Sequence, residues 1–319
     1  MQLLQVYDYI AVEMEEVREL FDWELHSDEP MVADLLAHVG KFRGKMLRPM
    51  LVLLSSKGCG EVTRKHHVIA AVAEMVHMST LVHDDVLDEA DQRRRGRTIN
   101  ALHGNEAAVI LGDLLISHAF HLCSSLDSQQ ASRLISATTN TVCEGELMQL
   151  YYRGYYDLTE DKYLAIVLQK TASLIATCCY LGAQASGARE DTCQALEQYG
   201  RNLGIAFQIM DDVTDLTGNE QTAGKTLGSD FLKEKLTLPG IHYLSNCSPA
   251  ERQQLCEMLS RRSSQDYQEY AHRLHEAGSV QYARQQAASF IDAARHALPA
   301  TLNKQTYDLL MELASLVVA

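Results

Sequence analysis

Apolar residues recur along most of the chain at the three- and four-residue spacing that places them on one face of an α-helix. The first stripe consists of Val6, Ile10, Met14, Val17 and Phe21, which step by four and three positions. No stretch shows the convincing alternation of apolar and polar residues that is typical of a half-buried strand. No internal repeat of 20–50 residues is present either. The pattern therefore predicts an all-α protein.

Capping residues set the expected limits of several helices. A helix is predicted over 46–57 with Pro49 at its start, and a long apolar helix over 64–91 with Thr63 as its N-cap. Residues 248–251, Ser-Pro-Ala-Glu, have the capping-box pattern with proline in the first helical position. Further helices are predicted over 105–126, 128–152, 159–185, 192–216, 265–275, 279–296 and 304–317, with Asn105 and Ser128 as candidate caps.

Composition narrows the functional classes. The 319 residues are 46% hydrophobic, enough for a substantial core, and we expect one domain over 1–319. The net charge of −14 opposes nonspecific binding of nucleic acid. The eight cysteines lack CxxC spacing, which is typical of buried thiols in a reducing compartment. Because no uncharged apolar run approaches about 20 residues, and because the first residues are acidic, we expect a cytoplasmic protein without a transmembrane segment.

Two acidic clusters share the pattern DDxxD. They are Asp84-Asp85-Val86-Leu87-Asp88 and Asp211-Asp212-Val213-Thr214-Asp215. On a helix, each cluster places carboxylates at i and i+4, about one turn apart on one face. A single cluster of this kind is usually a solvated surface, but both follow strongly apolar stretches, where an uncompensated acid is costly to bury. Two facing clusters would hold divalent cations around a phosphate-bearing ligand, and the all-oxygen donors favour Mg²⁺ over zinc.

Basic and polar residues accompany both clusters. Lys45 and Arg48 lie at i and i+3 in GKMLRP, and three consecutive arginines, 93–95, follow the first cluster. Such groups are candidate phosphate ligands. Lys170 lies in an apolar helix, where a lysine either reaches solvent or has a buried anionic partner. Gln208 precedes Asp211 by three residues and shares its helix face.

Residues 217–235 form the one long irregular stretch, with three glycines and three lysines. A basic, glycine-punctuated loop beside an acidic cluster predicts a mobile lid. Gly218 to Gly224-Lys225-Thr226 is similar to a P-loop, but it has one residue too many and follows a helix rather than a strand. We therefore do not assign nucleotide hydrolysis to it.

Five motifs in this order resemble those of the trans-isoprenyl diphosphate synthases, the polyprenyl synthetase family, over nearly the whole chain. GKMLRP resembles the family's GKxxRP, and HDDVLDEADQRR its first aspartate-rich motif with trailing arginines. LQKTASL is similar to its Lys-Thr helix, AFQIMDDVTD to its second aspartate-rich motif, and AGKTLGSDFLKEKLTLP to its lid. The chain departs from the family where Arg95 replaces a glycine and no proline precedes Thr98. That departure leaves open which arginines reach the substrates.

The resemblance implies a single large bundle of long helices around a deep central cavity, the isoprenoid synthase fold, usually as a homodimer. It implies a prenyltransferase that condenses isopentenyl diphosphate with an allylic diphosphate through Mg²⁺-assisted ionisation. It also implies three Mg²⁺ ions with substrate bound, and no part for nucleic acid.

The resemblance also implies residue roles. Mg²⁺ would be held by Asp84, Asp88 and Asp211, with Asp85, Asp212 and Asp215 in support. The allylic diphosphate would contact Arg93, Lys170, Thr171, Gln208, Lys225 and Lys235. Isopentenyl diphosphate would contact Lys45, Arg48, His77 and Arg94, although His77 alone could be an ordinary core histidine. The catalytic set would be Asp84, Asp88, Asp211 and Lys170.

Product length in the family depends on bulk just before the first aspartate-rich motif. Ser79 and Thr80 are small there, so we expect an all-trans product longer than farnesyl, in the range from geranylgeranyl to octaprenyl. Deeper bulk could come from Met75, Phe120 or Met148, each of which could equally be ordinary core. Two alternatives remain: a class I terpene cyclase, which normally has a different second metal motif, and a noncatalytic subunit of a heteromeric prenyl synthase, which tends to lose the metal carboxylates.

Overall fold

The computed structural model describes residues 2–94, 96–218 and 227–318, and this part of the chain is almost entirely α-helical. A short hairpin consists of β1 (Gln92–Arg93) and β2 (Gly96–Arg97), and a π-helical turn, Leu168–Ala172, joins α9 to α10. The helices, in chain order, are α1 (Gln2–Tyr9), α2 (Ala11–Glu24), α3 (Pro30–Gly40), α4 (Leu47–Cys59), α5 (Arg64–Leu87), α6 (Ile99–His103), α7 (Asn105–Cys123), α8 (Gln129–Tyr151), α9 (Glu160–Val167), α10 (Ser173–Ala185), α11 (Glu190–Thr217), α12 (Ser229–Leu232), α13 (Leu238–Asn246), α14 (Pro249–Arg261), α15 (Ser264–Glu276), α16 (Ser279–Ala297) and α17 (Lys304–Val317).

Backbone contacts divide the chain into two compact units, each assembled from three separate segments. The first unit comprises Met1–Thr139, Leu174–Gly200 and Ala297–Leu313, and the second comprises Asn140–Ser173, Arg201–His296 and Ala314–Ala319. Because these segments interleave along the chain, neither unit is one continuous stretch of sequence. The single domain over 1–319 stays a prediction.

Helix α5 is the centre of the first unit and packs against α2, α4 and α7. Its buried residues occupy all sides of the helix rather than one stripe, as expected of a helix enclosed by others. The N-terminal stripe predicted from the sequence is confirmed, since Val6, Ile10, Val17 and Phe21 are fully buried and Met14 is 1% exposed. These side chains form the layer through which the N-terminal helices join the core.

The second unit has its own core. Helix α9 packs against α13, and α15 contacts α12, α13 and α14. The Phe231 ring lies 5.9 Å from the ring of Tyr267 and 4.9 Å from that of Tyr270, measured between centroids. This aromatic group fixes the short helix α12, which follows the second acidic motif along the chain.

Several predicted caps are confirmed. Ser248 and Glu251 form the capping box, with the Ser248 backbone N–H donating to Glu251 Oε2 at 2.8 Å. Thr63 caps α5 through a reciprocal pair with His66, whose Nδ1 accepts the Thr63 backbone N–H at 2.9 Å. Ser128 Oγ accepts the backbone N–H of Ala131 at 3.3 Å.

The predicted end of α5 at residue 91 is wrong, because the helix ends at Leu87 in a Schellman motif. The Ala90 N–H donates to the Asp85 carbonyl at 2.9 Å, and the Glu89 N–H donates to the Val86 carbonyl at 3.1 Å. Glu89 has a left-handed φ of 48°, a position that glycine usually takes. The early end leaves room for the β1–β2 hairpin, which the sequence pattern did not predict.

Other expectations need correction. Helix α4 begins at Leu47, two residues before Pro49, after a left-handed Met46. Gly104, not Asn105, is the N-cap residue of α7. The predicted helix over 159–185 is interrupted by the π-helical turn. Helices α3, α6, α12 and α13 were not predicted.

In the part of the chain that the structure describes, two helical stretches are long and apolar enough to cross a membrane by length and composition, which the search for uncharged apolar runs did not detect. They are Asn105–Cys123 and Glu160–Ala185, and 61% of the apolar window of the second is buried inside the protein, as in a core helix. Only 39% of the window in Asn105–Cys123 is buried, and the exposed side chains of α7 include Val109 and Ile110. The absence of a transmembrane segment stays a prediction.

Helix α10 crosses α4 at Gly182, where a side chain would not fit. A Cβ at this position would lie 2.4 Å from the Val52 carbonyl oxygen and 3.0 Å from Ser55 Cβ. We expect Gly182→Ala to lower the free energy of unfolding by about 1–3 kcal/mol, because the two helices must separate. Gly40→Ala is the control, since its Cβ would meet only the Arg43 side chain at 3.5 Å. Equal thermal stability of the two variants would contradict this account.

Candidate active site

The first acidic motif lies at the C-terminal end of α5. Asp88 is the C-cap residue, and its backbone N–H donates to the Asp84 carbonyl at 2.8 Å, so the two aspartates are one turn apart. The C-terminal end of a helix carries partial negative charge from its terminal carbonyls. Carboxylates at that end reinforce the negative potential, which suits a divalent cation.

The middle aspartate of the motif has a different environment. Asp85 is 5% exposed, and its carboxylate accepts two hydrogen bonds from Arg93 Nε, at 2.9 Å to Oδ1 and 3.1 Å to Oδ2. Arg93 Nη2 also lies 2.9 Å from Asp85 Oδ1. The ion pair ties β1 to the end of α5, so Asp85 positions the hairpin that carries the arginines.

Two polar residues after the hairpin complete this attachment. Thr98 Oγ1 donates to the Ala90 carbonyl at 2.6 Å. Asn100 Nδ2 donates to the carbonyls of Asp85 and Ala90, at 3.2 and 3.1 Å. These bonds attach the segment after the hairpin to the C-terminal end of α5 and to the backbone that follows it.

The residues predicted to seat isopentenyl diphosphate lie in the first unit, and Arg48, His77 and Arg94 are close to one another. The Arg94 guanidinium rests on Gly44, where a Cβ would lie only 2.0 Å from Nη1. Burial lowers the pKa of His77 well below its ordinary value, and the charges of Arg48, Arg93 and Arg94 lower it further. His77 is therefore a neutral imidazole beside three guanidinium groups. Lys45 is exposed on the same loop as Gly44.

Glu74 is a member of this group that the sequence reasoning missed. It is 2% exposed, lies one turn before His77, and its buried Oε2 has no hydrogen-bond partner among the described residues. Burial raises the pKa of the Glu74 carboxyl, whereas Arg48 and Arg94 lower it. A single acid in an apolar helix matches no sequence motif. Glu74 is recognised only in the structure, by its position near Arg48 and Arg94.

The second acidic motif lies near the C-terminal end of α11, and its middle aspartate is again held by the protein. Asp212 is 2% exposed. Its Oδ2 accepts the Tyr163 hydroxyl at 2.7 Å, and its Oδ1 accepts Gln208 Nε2 at 2.9 Å and Lys235 Nζ at 3.1 Å. Burial and the charge of Asp212 raise the pKa of Tyr163 well above its ordinary value, so this phenol stays a donor. Tyr163 was not predicted, because an isolated tyrosine gives no sequence signal.

The allylic-diphosphate candidates of the second unit form one network around Asp212. Thr171 Oγ1 donates to Gln208 Oε1 at 2.8 Å, which extends the chain from Asp212 to the π-helical turn. Lys170 on the same turn pairs with Glu146, and both side chains are partly exposed, so this lysine has an anionic partner and also reaches solvent. A π-helical turn inside an α-helix is frequent at functional sites.

Lys235 also contacts Asp230, with Nζ 3.1 Å from Oδ1. Burial opposes its charge, but Asp212 and Asp230 raise its pKa well above the ordinary value, so Lys235 is cationic. Asp215 Oδ2 accepts the Asp230 backbone N–H at 3.0 Å. Lys225, Arg95 and residues 219–226 of the predicted lid lie outside the described residues.

These polar groups line a cavity of about 20 Å³ in the second unit, roughly the room that one water needs, together with apolar side chains. The polar lining consists of Gln149, Lys170, Thr171, Gln208, Asp212 and Lys235, and the apolar lining includes Tyr152, Leu158, Ile166, Val167 and Leu236. Apolar walls with a few convergent polar groups are the lining of a small-molecule site, but a cavity of this volume has room for a water and not for a substrate.

The donor set fits Mg²⁺. Within residues 2–94, 96–218 and 227–318, no three Asp, Glu, His or Cys side chains are grouped closely enough to hold an ion by themselves. Mg²⁺ commonly binds one or two carboxylates and takes its remaining ligands from phosphate oxygens and water. Asp84 and Asp88 in one unit and Asp211 in the other supply carboxylates of that kind. Their convergence on one diphosphate, and every assigned residue role, stay predictions.

Comparisons with known proteins agree with the motifs and the fold. The sequence model of the family described as "Polyprenyl synthetase" matches residues 29–275. Octaprenyl diphosphate synthase of Escherichia coli (strain K12) is 31% identical over 319 residues, 100% of this chain and 99% of that protein. The all-trans-nonaprenyl-diphosphate synthase (geranyl-diphosphate specific) of Rhodobacter capsulatus is 34% identical over 89% of this chain and 87% of its own length.

Comparison with solved structures also points to polyprenyl synthases. A decaprenyl diphosphate synthase from Rhodobacter capsulatus superposes with a TM-score of 0.93 at 33% identity, covering 99% of this chain and 98% of that one. A polyprenyl synthase from Caulobacter crescentus CB15, complexed with calcium and isoprenyl diphosphate, gives a TM-score of 0.94 at 30% identity, with 99% and 97% coverage. The all-α isoprenoid synthase fold is thus confirmed. The chain belongs to the polyprenyl synthetase family and is a trans-prenyltransferase.

Proposed function

We propose that this protein condenses isopentenyl diphosphate with an allylic diphosphate to give an all-trans polyprenyl diphosphate longer than farnesyl. The observation that carries the proposal is the pairing, in each unit, of a DDxxD helix end with its own set of diphosphate-binding donors. Lys45, Arg48 and Arg94 accompany the first motif, and Lys170 and Lys235 accompany the second. The similarity to long-chain synthases over the full chain supports this proposal.

The proposed reaction breaks the allylic C–O bond, and the departing pyrophosphate takes the electron pair. The double bond of isopentenyl diphosphate then forms the new C–C bond with the allylic cation, and the product loses a proton to the pyrophosphate. Mg²⁺ held by Asp84, Asp88 and Asp211 would neutralise charge on the leaving group. Lys170, Gln208 and Lys235 would donate hydrogen bonds to the same group, which stabilises its charge where it develops, and Thr171 orients the Gln208 amide by donating to its Oε1.

Residues outside the direct contacts keep these donors in place. Asp212 holds Gln208 and Lys235 in the lining of the cavity, and Glu146 holds the Lys170 ammonium before substrate arrives. The apolar walls keep water away from the allylic cation, which water would otherwise quench. Lys225 and the rest of the lid are proposed to complete this exclusion.

We also propose that the protein acts as a homodimer in the cytoplasm. Val109 and Ile110, on the outer face of α7, are 40% and 66% exposed, and an exposed apolar helix face suits a second protein surface. All eight cysteines are free thiols, as expected in a reducing compartment. Heptaprenyl diphosphate synthase component 2 of Geobacillus stearothermophilus is 36% identical over 77% of each chain, so a different partner chain is the alternative to a second copy.

Removal of a metal carboxylate should abolish most of the activity. We expect Asp84→Asn and Asp211→Asn to lower kcat by about 100-fold or more, because charge on the pyrophosphate is no longer neutralised. Chelation should abolish turnover of the unaltered enzyme, and added Mg²⁺ should restore it. The measurement is incorporation of radiolabelled isopentenyl diphosphate. Asp127→Asn, at an exposed position between α7 and α8, is the control and should keep full activity.

Activity that survives chelation, or full turnover in both variants, would refute the proposed metal assignment. Product from farnesyl diphosphate alone distinguishes the terpene cyclase, which needs no isopentenyl diphosphate. An inactive purified chain that gains activity with a second, different chain would instead support the heteromeric alternative.

Added bulk before the first motif should shorten the product. Ser79 is fully buried and its hydroxyl donates to the Gly112 carbonyl at 2.9 Å, whereas Thr80 is half-buried and bonds within its own helix. We expect both Ser79→Phe and Thr80→Phe to give shorter prenyl chains on thin-layer chromatography. Thr80→Phe tests the idea without disturbing the contact between α5 and α7. An unchanged chain length in both folded variants would exclude a tunnel at this position.

A charge on the outer face of α7 should prevent dimer formation. We expect Ile110→Asp to give a monomer by light scattering, because a carboxylate is costly to bury between two copies. Val12→Asp, at an equally exposed apolar position on α2, is the matched control and should leave the mass unchanged. A monomeric wild type, or a dimer in both variants, would exclude this interface.

A further inference from the structure

The segment between α3 and α4 carries Lys45, and its first half is anchored by side chains on both sides. Arg43 lies over the Phe21 ring, with Cζ 4.2 Å from the centroid, and pairs with Asp22. Phe42 is 6% exposed and packs beneath Gly96, where a Cβ would lie 2.8 Å from Phe42 Cε1. The contacts of Phe42 and Arg43 therefore hold the first half of this loop in place.

The second half of the loop turns sharply. Met46 has a left-handed backbone, with φ 47° and ψ 49°, and its side chain is 4% exposed. An L-residue other than glycine rarely adopts this conformation unless its surroundings hold it there. The turn determines the direction in which Lys45 and Arg48 project, so whatever fixes it also fixes those two cations.

One side-chain hydrogen bond reaches the backbone at this turn: the Tyr7 hydroxyl donates to the Lys45 carbonyl at 2.5 Å. A carbonyl can only accept, so the phenol must keep its proton. Burial raises the pKa of Tyr7, and the nearby carboxylate of Glu74 raises it further, whereas Arg18 opposes this. The hydroxyl thus remains a donor across the neutral pH range.

Helix α1 is itself fixed independently of this bond. The Tyr9 hydroxyl lies 3.2 Å from Thr306 Oγ1, and Lys57 Nζ donates to the Tyr9 carbonyl at 2.8 Å. The Lys57 ammonium also lies 4.6 Å from the centre of the Tyr9 ring. Tyr7 therefore projects from a rigid support, two residues from an anchor that makes no contact with the loop.

We propose that Tyr7 is a positioning residue for isopentenyl diphosphate, because its hydroxyl holds the left-handed turn that aims Lys45 and Arg48. This inference rests on the proposed function and names a residue outside the motifs of the sequence. Tyr7 acts through the Lys45 backbone and contacts neither substrate. Its loss should weaken the seat of isopentenyl diphosphate alone, since the allylic diphosphate is assigned to other residues.

The test compares Tyr7→Phe with Tyr9→Phe, which removes a hydroxyl from the same helix without affecting the loop. We expect Tyr7→Phe to raise the KM for isopentenyl diphosphate about threefold to tenfold, the usual effect of one lost hydrogen bond. The KM for the allylic substrate and kcat at saturation should stay within about twofold of wild type. Tyr9→Phe should leave the KM for both substrates unchanged.

An unchanged KM for isopentenyl diphosphate in Tyr7→Phe would overturn the proposal, as would an equal rise in Tyr9→Phe. A fall in kcat with both KM values unchanged would also overturn it. These results differ from failure of the proposed function, in which the wild-type chain itself would not consume isopentenyl diphosphate.

A second measurement does not depend on activity. Trypsin cleaves after Lys45, and the rate reports how firmly the turn is held. We expect faster cleavage at Lys45 in Tyr7→Phe than in Tyr9→Phe or wild type, with fragments identified by mass spectrometry. Equal cleavage rates in the three proteins would show that Tyr7 does not hold the turn.

Discussion

The balance of charge at the ends of buried helices is the constraint on which the rest of this structure depends. Both DDxxD motifs follow apolar helices, and a carboxylate in such a place is tolerated only when hydrogen bonds or opposite charges satisfy it. In each motif the middle aspartate meets this requirement within the protein. Asp85 is held by Arg93, and Asp212 is held by Tyr163, Gln208 and Lys235. In both copies of the acidic pattern, the middle aspartate is therefore satisfied by side chains of the protein itself.

The outer aspartate of the second motif, Asp215, is also held by the protein, because it is 4% exposed and accepts the Asp230 backbone N–H at 3.0 Å. The middle aspartates bind the basic and polar side chains that surround the site, so they position donors. The outer aspartates, Asp84 and Asp88, lie at i and i+4 at a helix C-terminus, where the helix dipole adds to their attraction for cations. The first motif illustrates this clearly, because Arg93 and the hairpin that carries Arg94 are attached to α5 through Asp85.

The sequence predicted the structural features that depend on residues close together in the chain. Stripes of apolar residues predicted the N-terminal helices, and the Ser248–Glu251 box predicted the start of α14, because these signals lie within one or two helical turns. The end of α5 was missed because Glu89 takes the left-handed position without the glycine that usually marks it. The π-helical turn was missed because one extra residue per turn does not change the composition of the helix. The sequence did not reveal Glu146 and Tyr163, because their partners are distant in the chain. It did not reveal Glu74, because only the structure shows that this acid is buried near Arg48 and Arg94.

The separate sets of cations favour a synthase over a cyclase for a physical reason. A terpene cyclase binds one diphosphate, so one group of metal ligands and donors is sufficient. This chain has Arg48 and Arg94 near the buried Glu74 in the first unit, and Lys235 beside Asp212 and Lys170 beside Glu146 in the second. Like charges grouped at partly buried positions raise the free energy of the folded protein unless an anion neutralises them. Burial raises the pKa of Glu74, and even its ionised carboxylate could balance only one of the two guanidinium groups, so a second diphosphate would correct this imbalance. The cost of holding those arginines together is therefore best explained by a second anionic substrate.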